Sequence, residues 1–183
     1  LGLVSGYVGG KVDAFIMRVA DVQLSFPAIL IALLIDGVAR VALPKDSHDT
    51  LALYVLVLAI AASGWVQYAR TVRGSTLVEK NKEYVQAARV IGRHPLAIML
   101  RHVLPNVMGP VLVIATIHIA TAIITEATLS FLGLGFPPDI PTWGRLLYDA
   151  KDYLDIAAHW ALIPGLAIFL TVLTINFVGD GLR

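Results

Sequence analysis

With 183 residues of which 57% are apolar and only 15% charged, this chain is too hydrophobic for an ordinary water-soluble domain and reads as an all-α integral membrane protein. Its formal net charge of +1 averages a basic face and an acidic one, and the basic residues are those that membrane topology already requires, so no nucleic-acid partner follows. The absence of cysteine excludes disulfides and thiolate-based metal or redox sites.

The apolar stretch Leu1 to Val8 opens without a methionine and reads as the tail of an earlier span, which makes the chain a fragment. Four later stretches approach the ~20 residues that an α-helix needs to cross ~30 Å of hydrocarbon. They lie at about residues 22–43, 50–69, 106–129 and 160–178. Gly9 to Asp21 is expected as a cytoplasmic link into the first of them. Asp36 and Arg40 stand four apart near the outer end of that span, either as an ion pair that lowers the cost of charge at a helix end or as charge in a solute path. The loop Pro44 to Asp49 offers Lys45, Asp46, His48 and Asp49 without a second histidine at ligand spacing, so loop polarity is expected there and no metal site. The second span carries no charge until Arg70, and Trp65 and Tyr68 suit the headgroup level. Arg70, Arg73, Lys80 and Lys82 then predict a stalk that continues the helix into water.

Glu83 to Pro105, reading EYVQAARVIGRHPLAIMLRHVLP, is a polar insertion between two apolar runs. Asn81 is the expected N-cap, Glu83 puts an acid in the first turn, and Gly92 with Pro95 supplies a stop. The resulting helix, about residues 82–91, would be roughly 15 Å long. Tyr84, Ala87, Ala88 and Ile91 share one stripe of it, with Glu83, Gln86 and Arg89 away from the stripe. Two readings stand: the stripe seats in a protein partner, with Tyr84 as anchor, or the helix rests on the inner leaflet.

Residues 106–129 carry Gly109, Pro110, Ala115, Ala120 and Ala122, small or kinking residues that let helices approach. His118, mid-span, is either a relay or ligand group or a histidine bonded across helices, and Glu126 lies near the outer end, where water reduces its cost. Between about residues 130 and 159, Trp143, Leu146, Leu147 and Ala150 recur at helical spacing and predict a short amphipathic helix, either at the outer interface or capping the bundle. The last span closes at Asn176, Gly179, Asp180 and Gly181.

Charge orients these spans. If residues 70–105 face the cytoplasm, Lys11, Arg18, Arg70, Arg73, Lys80, Lys82, Arg89, Arg93, Arg101 and Arg183 share that side, ten of the 14 basic residues. Arg40, Lys45, Arg145 and Lys151 fall on the other side, and residues 130–159 become external.

The insertion also resembles a family loop. Ala87, Ala88, Gly92, Leu104 and Pro105 match the pattern E-A-A-x3-G-x9-I-x-L-P of permease subunits from binding-protein-dependent ABC importers, with Gln86 in place of the glutamate and His102 in place of the isoleucine. EYVxAARxxG followed by RHVLPN is similar to the dipeptide, oligopeptide and nickel branch, and to the C-type permease of its pair. So are Thr125-Glu126-Ala127, Leu129 to Gly135, Pro141 to Gly144, Pro164 to Ala167 and Gly179 to Arg183.

The resemblance implies a six-span type I ABC importer permease fold, here a single domain over residues 1–183 with four complete spans and the tail of an earlier one. It implies that Glu83, Tyr84, Val85, Ala87, Ala88, Arg89, Gly92, Leu104 and Pro105 couple the chain to a cytoplasmic ATPase. The implied partners are two ATPase subunits that bind ATP and Mg, a second permease, and an external solute-binding protein, in a bacterial or archaeal cytoplasmic (inner) membrane. The chain itself would hold no cofactor and have no enzyme activity. Di- or oligopeptides are the implied solute, with nickel, glutathione or another small solute as alternatives. Independently, no G-x-x-x-x-G-K-[ST] run occurs, so energy must come from another subunit or an ion gradient. The sequence lacks the motifs of an intramembrane serine or zinc protease, the remaining alternative.

Overall fold

The computed structural model describes residues 1–42, 48–136 and 139–182, without the side chains of residues 28, 36, 40 and 48–53. The Asp36/Arg40 pair and the polar loop at 44–49 lie outside what is described. Among the described residues every regular element is helical, as hydrocarbon demands of a chain whose peptide groups find no water to bond. In chain order these are α1 (Gly2–Val8), α2 (Gly10–Leu24), α3 (Ala28–Ala42), α4 (His48–Glu79), α5 (Glu83–Val90), α6 (Pro95–Ile98), α7 (Leu104–Phe131), α8 (Trp143–Ala150) and α9 (His159–Gly181). A π-turn, Met99–Val103, joins α6 to α7, and a 3-10 turn, Lys151–Tyr153, follows α8.

Several boundaries differ from those expected. The apolar run at 22–43 is two helices, because Pro27 lacks an N–H and bars its predecessor Phe26 from the helical region. Val22 to Leu24 close α2, while the Leu30 and Ile31 amides donate to the Pro27 carbonyl at 2.9 and 3.2 Å to start the next helix. Gly9 to Asp21 is accordingly no loose link, since α2 begins at Gly10, just after Gly9 adopts φ 72°. The α4 helix runs to Glu79, as a stalk requires. Re-entry also comes earlier than residue 106: one helical stretch of 37 residues spans Pro95–Phe131. Among the described residues Tyr54–Glu79, Pro95–Phe131 and His159–Gly181 are long and apolar enough to cross a membrane, and α2 with α3 would make a fourth only as one broken span.

The chain forms two compact units, residues 1–25, 64–115 and 179–183 in the first, residues 26–63 and 116–178 in the second. The first is centred on Val85, Ala88, Ile98, Val103 and Val107, with Leu3, Tyr7, Val72 and Leu104 packed around them. Within it, α1 lies directly against α4: a Cβ at Gly2 would overlap the Ala69 carbonyl, and one at Gly6 would stand 2.8 Å from the Thr76 Cβ. The α2 helix is tied to α4 by charge. Arg73 grips Asp13 with two parallel bonds, Nε to Oδ1 at 2.5 Å and Nη2 to Oδ2 at 2.6 Å, and the Ser5 hydroxyl donates to the same carboxylate. Arg70 pairs with Asp21 at 2.5 Å, and the Trp65 indole donates to Gln23 at 2.6 Å.

The second unit is centred on Ala32, Leu56, Ala59 and Leu129, flanked by Leu33, Ile35, Ile60 and Phe136. Here α8 forms where the amphipathic helix was expected, capped by Thr142, whose hydroxyl accepts from the Arg145 amide at 3.2 Å. Its inward side differs from the expected stripe. Gly144 and Ala150 are buried while Trp143 and Leu146 stay exposed, because only a glycine lets α8 approach Ala127 and Ser130.

Candidate functional site

The α5 helix and the chain that follows it form a polar headpiece in the first unit. The residue before the first turn, Lys82, is the N-cap and makes no side-chain cap bond, so Asn81 does not cap the helix. The Asn81 amide turns back to the Leu77 carbonyl at 3.0 Å, and the Gln86 amide takes over the Asn81 carbonyl at 2.9 Å. The far end is a Schellman motif. Gly92, at φ 76°, donates to the Arg89 carbonyl at 3.0 Å, and the Arg93 amide reaches the Ala88 carbonyl at 3.1 Å. His94 then caps the next helix, its Nδ1 accepting from the Leu96 amide at 3.3 Å, with Pro95 in the first turn.

The expected coupling residues divide into two sets. Val85 and Ala88 are buried at 0% and 4% exposure and pack on the chain's own Ile98, Val103 and Val107. Leu104 packs against that same cluster from α7. Ala88 therefore does not lie on an outward stripe with Ala87. Full burial of a valine-sized side chain contributes about 1.5 to 3 kcal/mol, enough to fix α5 against the helices behind it. Facing away are Glu83, Gln86, Ala87, Arg89, Gly92 and, most openly, Val90 at 87% and Ile91 at 72% exposure. Val90 is the residue that the sequence reading left out. Its signal was present in the spacing, since Glu83, Ala87 and Val90 fall at i, i+4 and i+7.

Tyr84 is only half turned outward. Its hydroxyl donates to the Glu79 carboxylate at the end of α4, and the His102 carbonyl lies 3.4 Å away. Burial first, and then the bond to Glu79, push the Tyr84 phenol up to about 12. Glu79 also pairs with Lys82 at 2.9 Å, so stalk, cap and α5 share one carboxylate. The Arg89 guanidinium stands over the Tyr7 ring at 5.1 Å, which ties the outer side of α5 back to α1. Pro105 lies one turn into the following helix, directly after the π-turn. A proline offers no N–H to the carbonyl four residues back and crowds it, and the wider turn accommodates this, with the Leu104 amide bonding to the Met99 carbonyl.

In the second unit Glu126 accepts from the buried Ser130 hydroxyl at 2.6 Å, and His118 is half-buried on α7. No group of three or more histidine, aspartate or glutamate side chains among the described residues gathers as metal ligands do.

This headpiece agrees with a comparison of whole sequences. Residues 1–183 match the family described as binding-protein-dependent transport system inner membrane component. The chain belongs to this family. It is 43% identical over 183 residues to the glutathione transport system permease protein GsiD of Pectobacterium atrosepticum, covering 100% of this chain and 58% of that protein. It is also 43% identical over 177 residues to the GsiD proteins of Escherichia coli and Shigella sonnei, covering 97% of this chain and 55% of each. The chain thus spans little more than half the length of the curated relatives it matches. Membership in a family of inner membrane transport components removes the intramembrane enzyme from consideration, and it agrees with the permease resemblance carried by Ala87, Ala88, Gly92, Leu104 and Pro105.

Proposed function

We propose that this chain is a membrane-spanning subunit of an ATP-driven importer that carries a peptide-class solute by alternating access, and that α5 is the piece a cytoplasmic ATPase subunit grips. The observation that carries this reading is the uncovered face of α5. Val90 and Ile91 stand open on a short polar helix whose opposite side is locked by Val85 and Ala88. An exposed apolar face on a rigid support suits a protein socket, where a few well-packed residues dominate binding. In this reading two ATPase subunits bind ATP and Mg, a second permease completes the path, and an external binding protein delivers the solute. The relatives' printed name favours glutathione, itself a tripeptide, over nickel or another small solute.

The test separates socket from support. In the assembled transporter, Ala87→Arg and Val90→Arg should cut uptake by about tenfold or more, as loss of a central interface contact does, while membrane insertion stays normal. Ala88→Arg should instead deplete the folded protein, because a charged side chain placed in that cluster costs about 3 kcal/mol or more. Uptake at the wild-type rate in both outward variants, or crosslinks from position 90 that reach lipid alone, would reject the ATPase contact.

A further inference from the structure

The second unit contains a cavity of about 440 Å³ lined by Leu56, Ile60, Glu126, Phe136, Thr142 and Trp143 among others. That volume is in the range of small-ligand sites, and its walls are mostly apolar. Its chemistry is uneven: one carboxylate faces two aromatic rings and a threonine, and no basic side chain lines it.

The carboxylate is held in place. Ser130, 3% exposed, donates its hydroxyl to Glu126 Oε1 at 2.6 Å. Two glycines allow the surrounding chain to close around that serine. A Cβ at Gly135 would collide with the Ser130 hydroxyl, and one at Gly144 would stand 2.8 Å from the Ser130 Cβ and 2.5 Å from the Ala127 Cα. Glu126 Oε2 takes part in none of the described hydrogen bonds or ion pairs. The nearby cations are committed elsewhere, since Arg145 pairs with Asp149 at 3.1 Å and Lys151 stands 3.7 Å over the Tyr148 ring. An ionisable group in a membrane-embedded apolar site calls for a partner, and here the chain supplies only half of one.

We propose that this cavity binds an organic ammonium group, with Glu126 as counter-ion and Phe136 and Trp143 as the aromatic walls that favour a cation over a neutral isostere. Identifying that ammonium as the free amino group of the carried solute rests on the transport reading above; the site itself does not.

The experiment uses the complete transporter in nanodiscs, with n-butylammonium as probe and n-butanol and potassium as controls at matched ionic strength. Butylammonium should quench tryptophan fluorescence saturably, the controls should not, and Glu126→Gln should weaken the response by about tenfold, as loss of a charged hydrogen-bond partner does. A parallel uptake assay compares a dipeptide with its N-acetyl derivative. Glu126→Gln should raise the KM of the free-amine peptide by a similar factor and leave that of the acetylated one within about twofold. No quench, an equal response to potassium, or an unchanged response in Glu126→Gln overturns the site. Butylammonium binding that depends on Glu126 in a transporter that moves no peptide leaves the site standing and removes only the transport reading. Should Glu126→Gln fail to assemble, Trp143→Leu replaces it, and butylammonium affinity unchanged in that variant likewise overturns the aromatic cage.

Discussion

Tyr84 joins the stalk to the headpiece through a single hydroxyl, and that makes its protonation a property of the fold. Because burial and Glu79 raise its folded-state value, the neutral phenol is the form the structure selects. The sign follows: the contribution is complete below pH 10.0, the ordinary tyrosine value, and is lost as pH rises through about 12. Alkaline titration followed by tyrosinate absorbance should show one slow-ionising tyrosine that is missing in Tyr84→Phe. That variant should also loosen α5 by about 1 to 2 kcal/mol, read as faster amide exchange across residues 83–90. The spacing of α5 showed which residues share a side of the helix but not which side turns inward. That choice is made by Leu3, Tyr7 and Val72, which are remote in sequence and reach the cluster only through the fold. Hence Tyr84 and Ala88 read as partner-facing from sequence, while the structure commits one partly and the other wholly to the chain itself.

For single elements, termination signals were more legible than starts. Gly92 marked the end of α5 because only a residue tolerant of positive φ closes a Schellman turn cheaply. Nothing lies within 4 Å of the place where its Cβ would stand, so Gly92→Ala meets no clash and isolates the backbone cost. A destabilisation of about 1 to 2 kcal/mol is expected, read as a lower unfolding temperature of the headpiece. A shift within error would mean that the turn relaxes. The missed start at Asn81 has a local cause, since its amide prefers the Leu77 carbonyl one turn back on α4. The missed break at 25–27 has another. Hydropathy averages over a window and does not register that one proline interrupts an apolar run, whereas the backbone must.

For the whole molecule, composition and charge settled the membrane class, and the three long apolar helices agree with it. Sidedness rests on the ten basic residues grouped with the α5 side, and it admits a direct measurement because the chain has no cysteine of its own. Single cysteines at Val90 and Ile156, both 87% exposed, are expected to react with an impermeant maleimide from opposite faces of sealed vesicles, position 90 from the cytoplasmic face. Labelling of both from one face would invert or abolish the assignment. The candidate site was legible as a motif of spacing. What the sequence left hidden was three-dimensional: the pairing of Asp13 with Arg73 across sixty positions, and the glycines that allow α1 and α8 to approach their neighbours.

The π-turn at Met99–Val103 can be regarded as an α-helix carrying one surplus residue. Removing a single residue there would let ordinary helical bonding run through from Pro95, and everything on the α5 side would swing by about 100° around the axis of α7. The turn therefore sets the angular phase of the headpiece. In this chain, the heading at which Val90 and Ile91 point is fixed by a residue count several positions away from either of them.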